Sequence, residues 1–146
     1  MSDAAALLKM QKEVFRPLYD RYQDEGSPYL EPLSKVEARL SAPHGGYYWI
    51  CLDGVRVGAV WAGSRSPGRI HLGPLFVLPG WQNKGIAQAA LLQLEEIVGP
   101  GVWELDTLLQ EPGNCHLYEK LGYLPTGTKR IVNDRLTLID YEKIVK

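Results

Sequence analysis

Between a stretch that reads as strand and one that reads as helix stands Gln82-Asn83-Lys84-Gly85-Ile86-Ala87, which sets a lysine, a glycine and a small residue around a first helical turn. The first amides of a helix lack partners of their own and lie at the positive end of its dipole, so such a turn can face a phosphate. Gly85 keeps bulk away from that anion, and Lys84 can add a charge-assisted hydrogen bond. The run lacks the full spacing of a dinucleotide fingerprint and the Gly-Lys-Ser/Thr of a nucleoside-triphosphate loop, so alone it is equally a plain helix start. Three further groups can take up a proton: His71 on one stretch of strand, and Glu104 and Asp106, which a period of two puts on one face of another. A strand carboxylate is at least as often merely solvated or hydrogen-bonded.

The elements that position these groups follow from the hydrophobic pattern. Leu7, Leu8, Met10, Val14, Phe15, Leu18, Tyr19 and Tyr22 fall three and four residues apart, which predicts a helix from Ala4 to about Tyr22 that Pro17 kinks or splits. Ser34-Lys35-Val36-Glu37 has the form of a capping box opening a short helix to Leu40. Gly46 to Leu52 and Val55 to Ser64 are rich in aromatic and β-branched residues, and Asp53-Gly54 between them predicts a two-residue hairpin turn. Ile70 to Val77 is a third strand, interrupted by Gly73-Pro74, where the missing donor of proline predicts a bulge or an open edge. Ile86, Ala90, Leu91, Leu94, Ile97 and Val98 form a helical stripe that ends before Gly99-Pro100-Gly101. Val102 to Leu109 then reads as strand, Asn114 to Leu121 as a short helix stopped by Gly122, and Tyr123 to Ile131 as the partner of Arg135 to Ile144. Strands interleaved with helices predict one layered α/β or α+β domain over residues 1–146.

With a formal net charge of -1 and no block of Lys or Arg, the chain is not built to release counterions from a nucleic acid. No apolar run approaches the ~20 residues of a membrane span, and Met1 to Leu8 lacks the features of a signal peptide, so a cytoplasmic protein is expected. Cys51 and Cys115 are too few for a disulfide framework and lack the paired spacing of a zinc site, and three histidines add no metal site.

The order of these parts resembles the Gcn5-related N-acetyltransferase (GNAT) superfamily over roughly residues 46 to 145. Leu75-Phe76-Val77-Leu78-Pro79 is similar to the family's fourth strand, whose backbone pairs with the pantetheine arm of the coenzyme, and Gln82 to Ala87 is similar to its pyrophosphate loop. Leu117-Tyr118-Glu119-Lys120-Leu121-Gly122-Tyr123 resembles the late helix whose tyrosine, here Tyr118, stands by the coenzyme sulfur and protonates the departing thiolate. The resemblance implies a GNAT-like mixed, mostly antiparallel sheet flanked by helices. It implies acetyl-CoA as donor and an amine as acceptor, whether a small molecule, a peptide N-terminus or a lysine. Two departures stand out: Glu111 replaces the asparagine that often precedes the tyrosine by seven positions, leaving Asn114 as the nearest substitute, and the family's N-terminal strand is absent. The second departure leaves an edge that a second copy can cover, so a homodimer is expected.

Acetyl transfer to an amine sets requirements that these residues can meet. Amines of lysine type are mostly protonated near neutral pH, so a base or a proton-conducting water chain must act before attack. Asp106 is the preferred base, since some family members carry a carboxylate on that strand, with His71 and Glu104 as alternatives. The oxyanion formed on attack needs a positioned N–H, which Val77 or a neighbour on the splayed strand can supply. Tyr47, Tyr48, Trp49, Trp61 and Trp81 either line an acceptor pocket or pack the core. The competing reading is a module that binds the coenzyme without turnover; Tyr118 favours the enzyme.

Overall fold

The computed structural model describes residues 3–146, with the side chain of Arg65 left aside. Helix α1 (Asp3–Tyr22) leads through a short turn of helix at Pro28–Leu30 into α2 (Leu33–Leu40). Strands β1 (Gly45–Leu52), β2 (Val55–Ser66) and β3 (Arg69–Val77) follow, then α3 (Ile86–Val98), β4 (Gly101–Leu108), α4 (Pro112–Lys120), β5 (Leu124–Asn133) and β6 (Leu136–Val145). The six strands form one sheet in the order β1-β2-β3-β4-β6-β5. Only β3 and β4 run parallel, and α3 is the crossover that parallel neighbours need. Among the described residues no helix is long and apolar enough to cross a membrane.

Each face of the sheet has its own helices. On one, Leu91 and Leu94 of α3 join Val60, Ala62, Ile70, Leu72, Trp103, Leu105, Ile139 and Tyr141 in the main core, against which Leu117 and Tyr118 of α4 pack. On the other, Ala4 and Leu7 of α1 and Val36 of α2 close over Ala59 and Phe76, with Tyr47 and Trp49 alongside. Strand alternation does this sorting: Tyr47 and Trp49 look to one layer while Tyr48 and Ile50 look to the other. The aromatic residues therefore mainly pack. Trp61 lies over Gly45, Gly63 and Gly73, where a Cβ would meet its ring, and its indole N–H donates to the Arg39 carbonyl at 3.1 Å. Trp49 stacks with the Arg56 guanidinium 4.3 Å from its ring centre.

The hairpin forms where the sequence places it, with Asp53 and Gly54 both at positive φ (51° and 80°) as a two-residue turn of this hand requires. A bulge forms at Gly73-Pro74: Val60 pairs with Leu75 but Ala62 with Leu72, so two residues of β3 stand opposite Trp61 alone. Pro17 does not split α1, which continues to Tyr22. One expectation fails. The capping box does not form, because α2 starts at Leu33 with Pro32 as its cap and no side-chain cap bond, leaving Ser34 inside the helix.

The loop before α2 is held instead by an ion pair. Arg39 grips both oxygens of Glu31 (2.7 and 2.6 Å), and the wholly buried Gln11 of α1 donates to the same carboxylate at 2.9 Å and to the Pro28 carbonyl at 2.7 Å. Burial opposes the charge on Glu31, yet the Arg39 hydrogen bonds and charge, helped by Gln11 and Lys35, hold its carboxyl below the ordinary 4.5. A depressed carboxyl stabilises the fold above its unfolded value and loses that contribution as pH falls through the folded one. Glu31→Gln should therefore cost about 3 kcal/mol at pH 7, the lower end of what removing one partner of a buried pair costs. In chemical denaturation the gap between variant and wild type should narrow as pH falls below the ordinary 4.5 and through the lower folded value; an equal gap at pH 7 and pH 3 would deny the pair this role.

Candidate functional site

The site begins where the sheet comes apart. β3 and β4 are in register only at Arg69 with Val102, Ile70 with Trp103 and His71 with Glu104. Beyond these rungs β3 stays with β2 as far as Val77, and β4 stays with β6 as far as Leu108. The two strands thus splay into a wedge open at their C-terminal ends, from which α3 and α4 both begin.

One wall of the wedge is β3. The Leu78 amide donates to the Val57 carbonyl at 2.7 Å, so alternation turns the groups of Phe76 toward β2 and those of Leu75 and Val77 into the wedge. Among the three residues expected to meet the pantetheine arm, Leu75 and Val77 therefore turn backbone into the wedge. Phe76 spends its backbone on β2 and its side chain on the α1 layer, where Phe15 meets it edge-on with ring centres 6.0 Å apart. The Val77 carbonyl accepts from the Gln82 side chain at 2.9 Å, which leaves its amide as the open donor at the strand's end.

Gln82 thereby fastens the loop to β3, and Asn83 (φ 60°) and Gly85 (φ 79°) bend it into the left-handed region. Gly85 caps α3, and nothing lies within 4 Å of where its Cβ would stand. Among the described residues no protein acceptor takes the amides of residues 83–88; the first amide of the helix to find one is Ala89, which donates to Gly85. Gln82, Asn83, Lys84 and Gly85 are exposed, and Ile86 and Ala87 are half-buried beside Trp81 and Val57. This is an open cradle of N–H groups with a lysine on its rim, suited to a pyrophosphate.

The other wall carries Tyr118 and Asp106. Tyr118 stands on α4 with its ring against Tyr123 and Tyr141 (centres 5.9 and 6.2 Å apart), and its hydroxyl donates to no protein group among the described residues. Burial raises the phenol above its ordinary 10, and the nearby charges of Asp106 and Cys115 raise it further, so it stays protonated. Asp106 is exposed on β4 and is reached by Arg130 of β5 at 3.4 Å. Its side chain points to the sheet face opposite Leu105, as does that of Glu104, which Arg69 binds at 2.8 Å and shares with Glu142. Glu104 is thus committed to a salt bridge. Asn114 lies half-buried in the first turn of α4, its side chain without a protein partner among the described residues.

The sequence reading missed what Glu111 does. As the residue capping α4 it makes no side-chain cap; it is bound instead by the Tyr22 hydroxyl at 2.5 Å and by Arg21 at 3.0 Å, both from the far end of α1. Only the placement of Tyr22 on the buried stripe of α1 hinted that the helix end meets something. Glu31 is taken up by Arg39 and is not free to meet a cationic amine. Among the described residues no cluster of His, Cys, Asp and Glu could hold a metal ion, and both cysteines are free.

The same architecture recurs in solved structures. The ribosomal-protein-S18-alanine N-acetyltransferase of Escherichia coli superposes with a TM-score of 0.77 at 14% identity, over 99% of this chain and 88% of that one. Spermidine N-acetyltransferase of Vibrio cholerae, solved with CoA and spermine, gives 0.75 at 14% identity over 98% and 90%. The PaiA N-acetyltransferase of Thermoplasma acidophilum, solved with coenzyme A, gives 0.69 at 16% identity over 97% and 93%. At these identities the likeness is one of fold. No curated protein matches the sequence at a significant level. The family model described as Acetyltransferase (GNAT) family matches residues 7–123, which takes in α1, the splayed strands, the cradle and Tyr118. The chain belongs to the GNAT acetyltransferase family.

Proposed function

We propose that residues 1–146 act as one domain that transfers the acetyl group of acetyl-CoA directly to a primary amine on a small molecule, a peptide N-terminus or a lysine. The observation that carries this reading is the wedge itself: free backbone on Leu75 and Val77, an amide cradle at residues 83–88 and an unpartnered phenol at Tyr118 line one opening. The coenzyme supplies an acetyl thioester. Leu75 and Val77 extend the sheet to its pantetheine arm, and Gln82 to Ala87 receive its pyrophosphate, with Lys84 adding charge. The Val77 amide faces the negative charge that grows on the thioester oxygen. Asp106 draws a proton from the incoming ammonium, directly or through water, and Asn114 adds a polar contact for the coenzyme at the mouth.

A raised phenol is a weaker acid than a thiol, whose ordinary value is about 8.5. Tyr118 therefore donates a hydrogen bond to the departing sulfur and does not lose its proton outright; the proton surrendered by the amine balances the thiolate or passes to solvent. Because the protonated form persists until pH passes the raised folded value, the rate should hold between pH 8 and about 10 and fall only beyond. A decline centred near pH 9 that Tyr118→Phe abolishes would contradict this.

Retention of an unbonded Tyr118 hydroxyl favours turnover over a module that only binds the coenzyme. The two separate in one assay: acetyl-CoA with a panel of polyamines, aminoglycosides and peptides, followed by thiol release. Amine-dependent release supports the enzyme. Heat protection by CoA with no release for any amine supports the binding module. The substrate coenzyme is consistent with a cytoplasmic setting.

The chain is further proposed to form a homodimer, since β1 ends the sheet with an uncovered edge. Sedimentation at micromolar concentration should show twice the 16.3 kDa of one chain, and a lone 16.3 kDa species would refute it.

A further inference from the structure

Helix α1 touches both arms of the wedge. Near its middle Phe15 packs on Phe76 of β3, the arm that carries the backbone donors. Seven residues later, about 10 Å along a helix, Tyr22 reaches the other arm at the start of α4. Its hydroxyl donates to the Glu111 carboxylate at 2.5 Å and Arg21 adds a second bond at 3.0 Å. Around this joint the Asn133 amide donates to the Tyr22 carbonyl at 2.8 Å, and the Gln110 side chain accepts from the Thr137 amide at 3.0 Å. The end of α1 is thus tied to the β4–α4 loop and to the β5–β6 turn together.

The tie is specific. Tyr22 is 6% exposed, so its hydroxyl makes this bond with little competition from water, whereas the Arg21 contact is exposed and contributes little. Glu111 sits at the cap of α4, and the Asn114 and Cys115 amides of the first turn donate to its carbonyl. Whatever fixes Glu111 therefore fixes the first turn, and Tyr118 stands one turn further on. The other end of α4 is held separately, where Tyr141 donates to Glu119 at 2.6 Å. A nine-residue helix pinned at both ends has little freedom to tilt.

We propose that the Tyr22–Glu111 junction is a positioning device for acetyl transfer, in which α1 spans the wedge as a strut and sets the place of Tyr118 relative to the donors on β3. This deepens the acetyl-transfer reading and rests on it. Glu111 then takes no part in binding the coenzyme; it determines where the phenol stands.

The test is Tyr22→Phe, which keeps the buried ring and removes only the hydroxyl. The turnover number should fall about tenfold, on the scale at which a misplacement near 1 Å costs about 10²-fold, while the affinity for CoA, to which the first turn adds only the Asn114 contact, falls far less. Glu111→Ala should do the same, and Glu111→Gln, which keeps an oxygen for the hydroxyl, should recover most of the loss. In a Tyr118→Phe background Tyr22→Phe should cost nothing more, since the group it places is gone. An unaltered turnover number, an equal loss in both backgrounds, or a loss of coenzyme affinity in its place would overturn the proposal. Hydrogen exchange reads the same joint without turnover: amides of residues 114–120 should exchange faster in Tyr22→Phe while those of α3 do not, and unchanged exchange would also overturn it. A wild type that releases no thiol with any amine defeats the acetyl-transfer reading, and the exchange arm still decides the junction.

Discussion

Tyr118→Phe is expected to slow acetyl transfer by about 10²–10³-fold, the effect of removing one positioned donor, while leaving coenzyme affinity nearly unchanged. The substitution keeps the ring that packs against Tyr123 and Tyr141 and removes a hydroxyl that bonds to nothing else in the protein among the described residues, so the fold loses little. What disappears is the donor aimed at the departing sulfur. In the proposed reading the acetylated and free coenzymes bind through the cradle and β3, so their affinities should not depend on the phenol. Steady-state rates with a good amine, set beside calorimetric binding of CoA, separate the two quantities. Equal rates for variant and wild type would make Tyr118 a packing residue.

Gly85→Glu should remove coenzyme binding altogether. A carboxylate at the cap of α3 would stand before the open amides of residues 83–88 and repel the pyrophosphate they are proposed to receive. The wild type should gain about 2.7 kcal/mol at CoA concentrations 100 times its dissociation constant, a rise in melting temperature of roughly 5–10 °C. A side chain in the left-handed region costs about 1–2 kcal/mol by itself, so the variant should melt somewhat lower without ligand. Gly85→Asn is the control, since asparagine accepts positive φ and carries no charge, and it should keep most of the protection. Protection of Gly85→Glu equal to that of the wild type would place the pyrophosphate elsewhere.

Much of this fold was legible because its signals are local. Asp53-Gly54 fixes a hairpin by turn chemistry alone, Gly73-Pro74 fixes a bulge by a missing donor, and the stripe from Ile86 to Val98 fixes α3 by its period. The cradle was legible for the same reason, since Gly85 and the first turn of α3 adjoin in sequence. The splay came only with the family resemblance, because it consists of pairing that stops after His71 and Glu104, and no residue type announces where two strands part. Not legible was the Glu31–Arg39 pair, which displaced the expected capping box once the loop packed under Gln11. The tie from Tyr22 to Glu111 links residues 89 apart and exists only after the sheet has brought α1 over the wedge. The division of work between Leu75, Phe76 and Val77 likewise became visible only once the bond from Leu78 to Val57 set the alternation.

Label transfer measures directly whether this wedge moves an acetyl group from coenzyme A to an amine. With acetyl-CoA labelled in the acetyl group and a polyamine or peptide that sustains thiol release, the label should appear on the amine nitrogen in the same amount as the free thiol. Tyr118→Phe should slow both together. Thiol release without label on any amine, or label transfer untouched by both Tyr118→Phe and Gly85→Glu, would contradict the account.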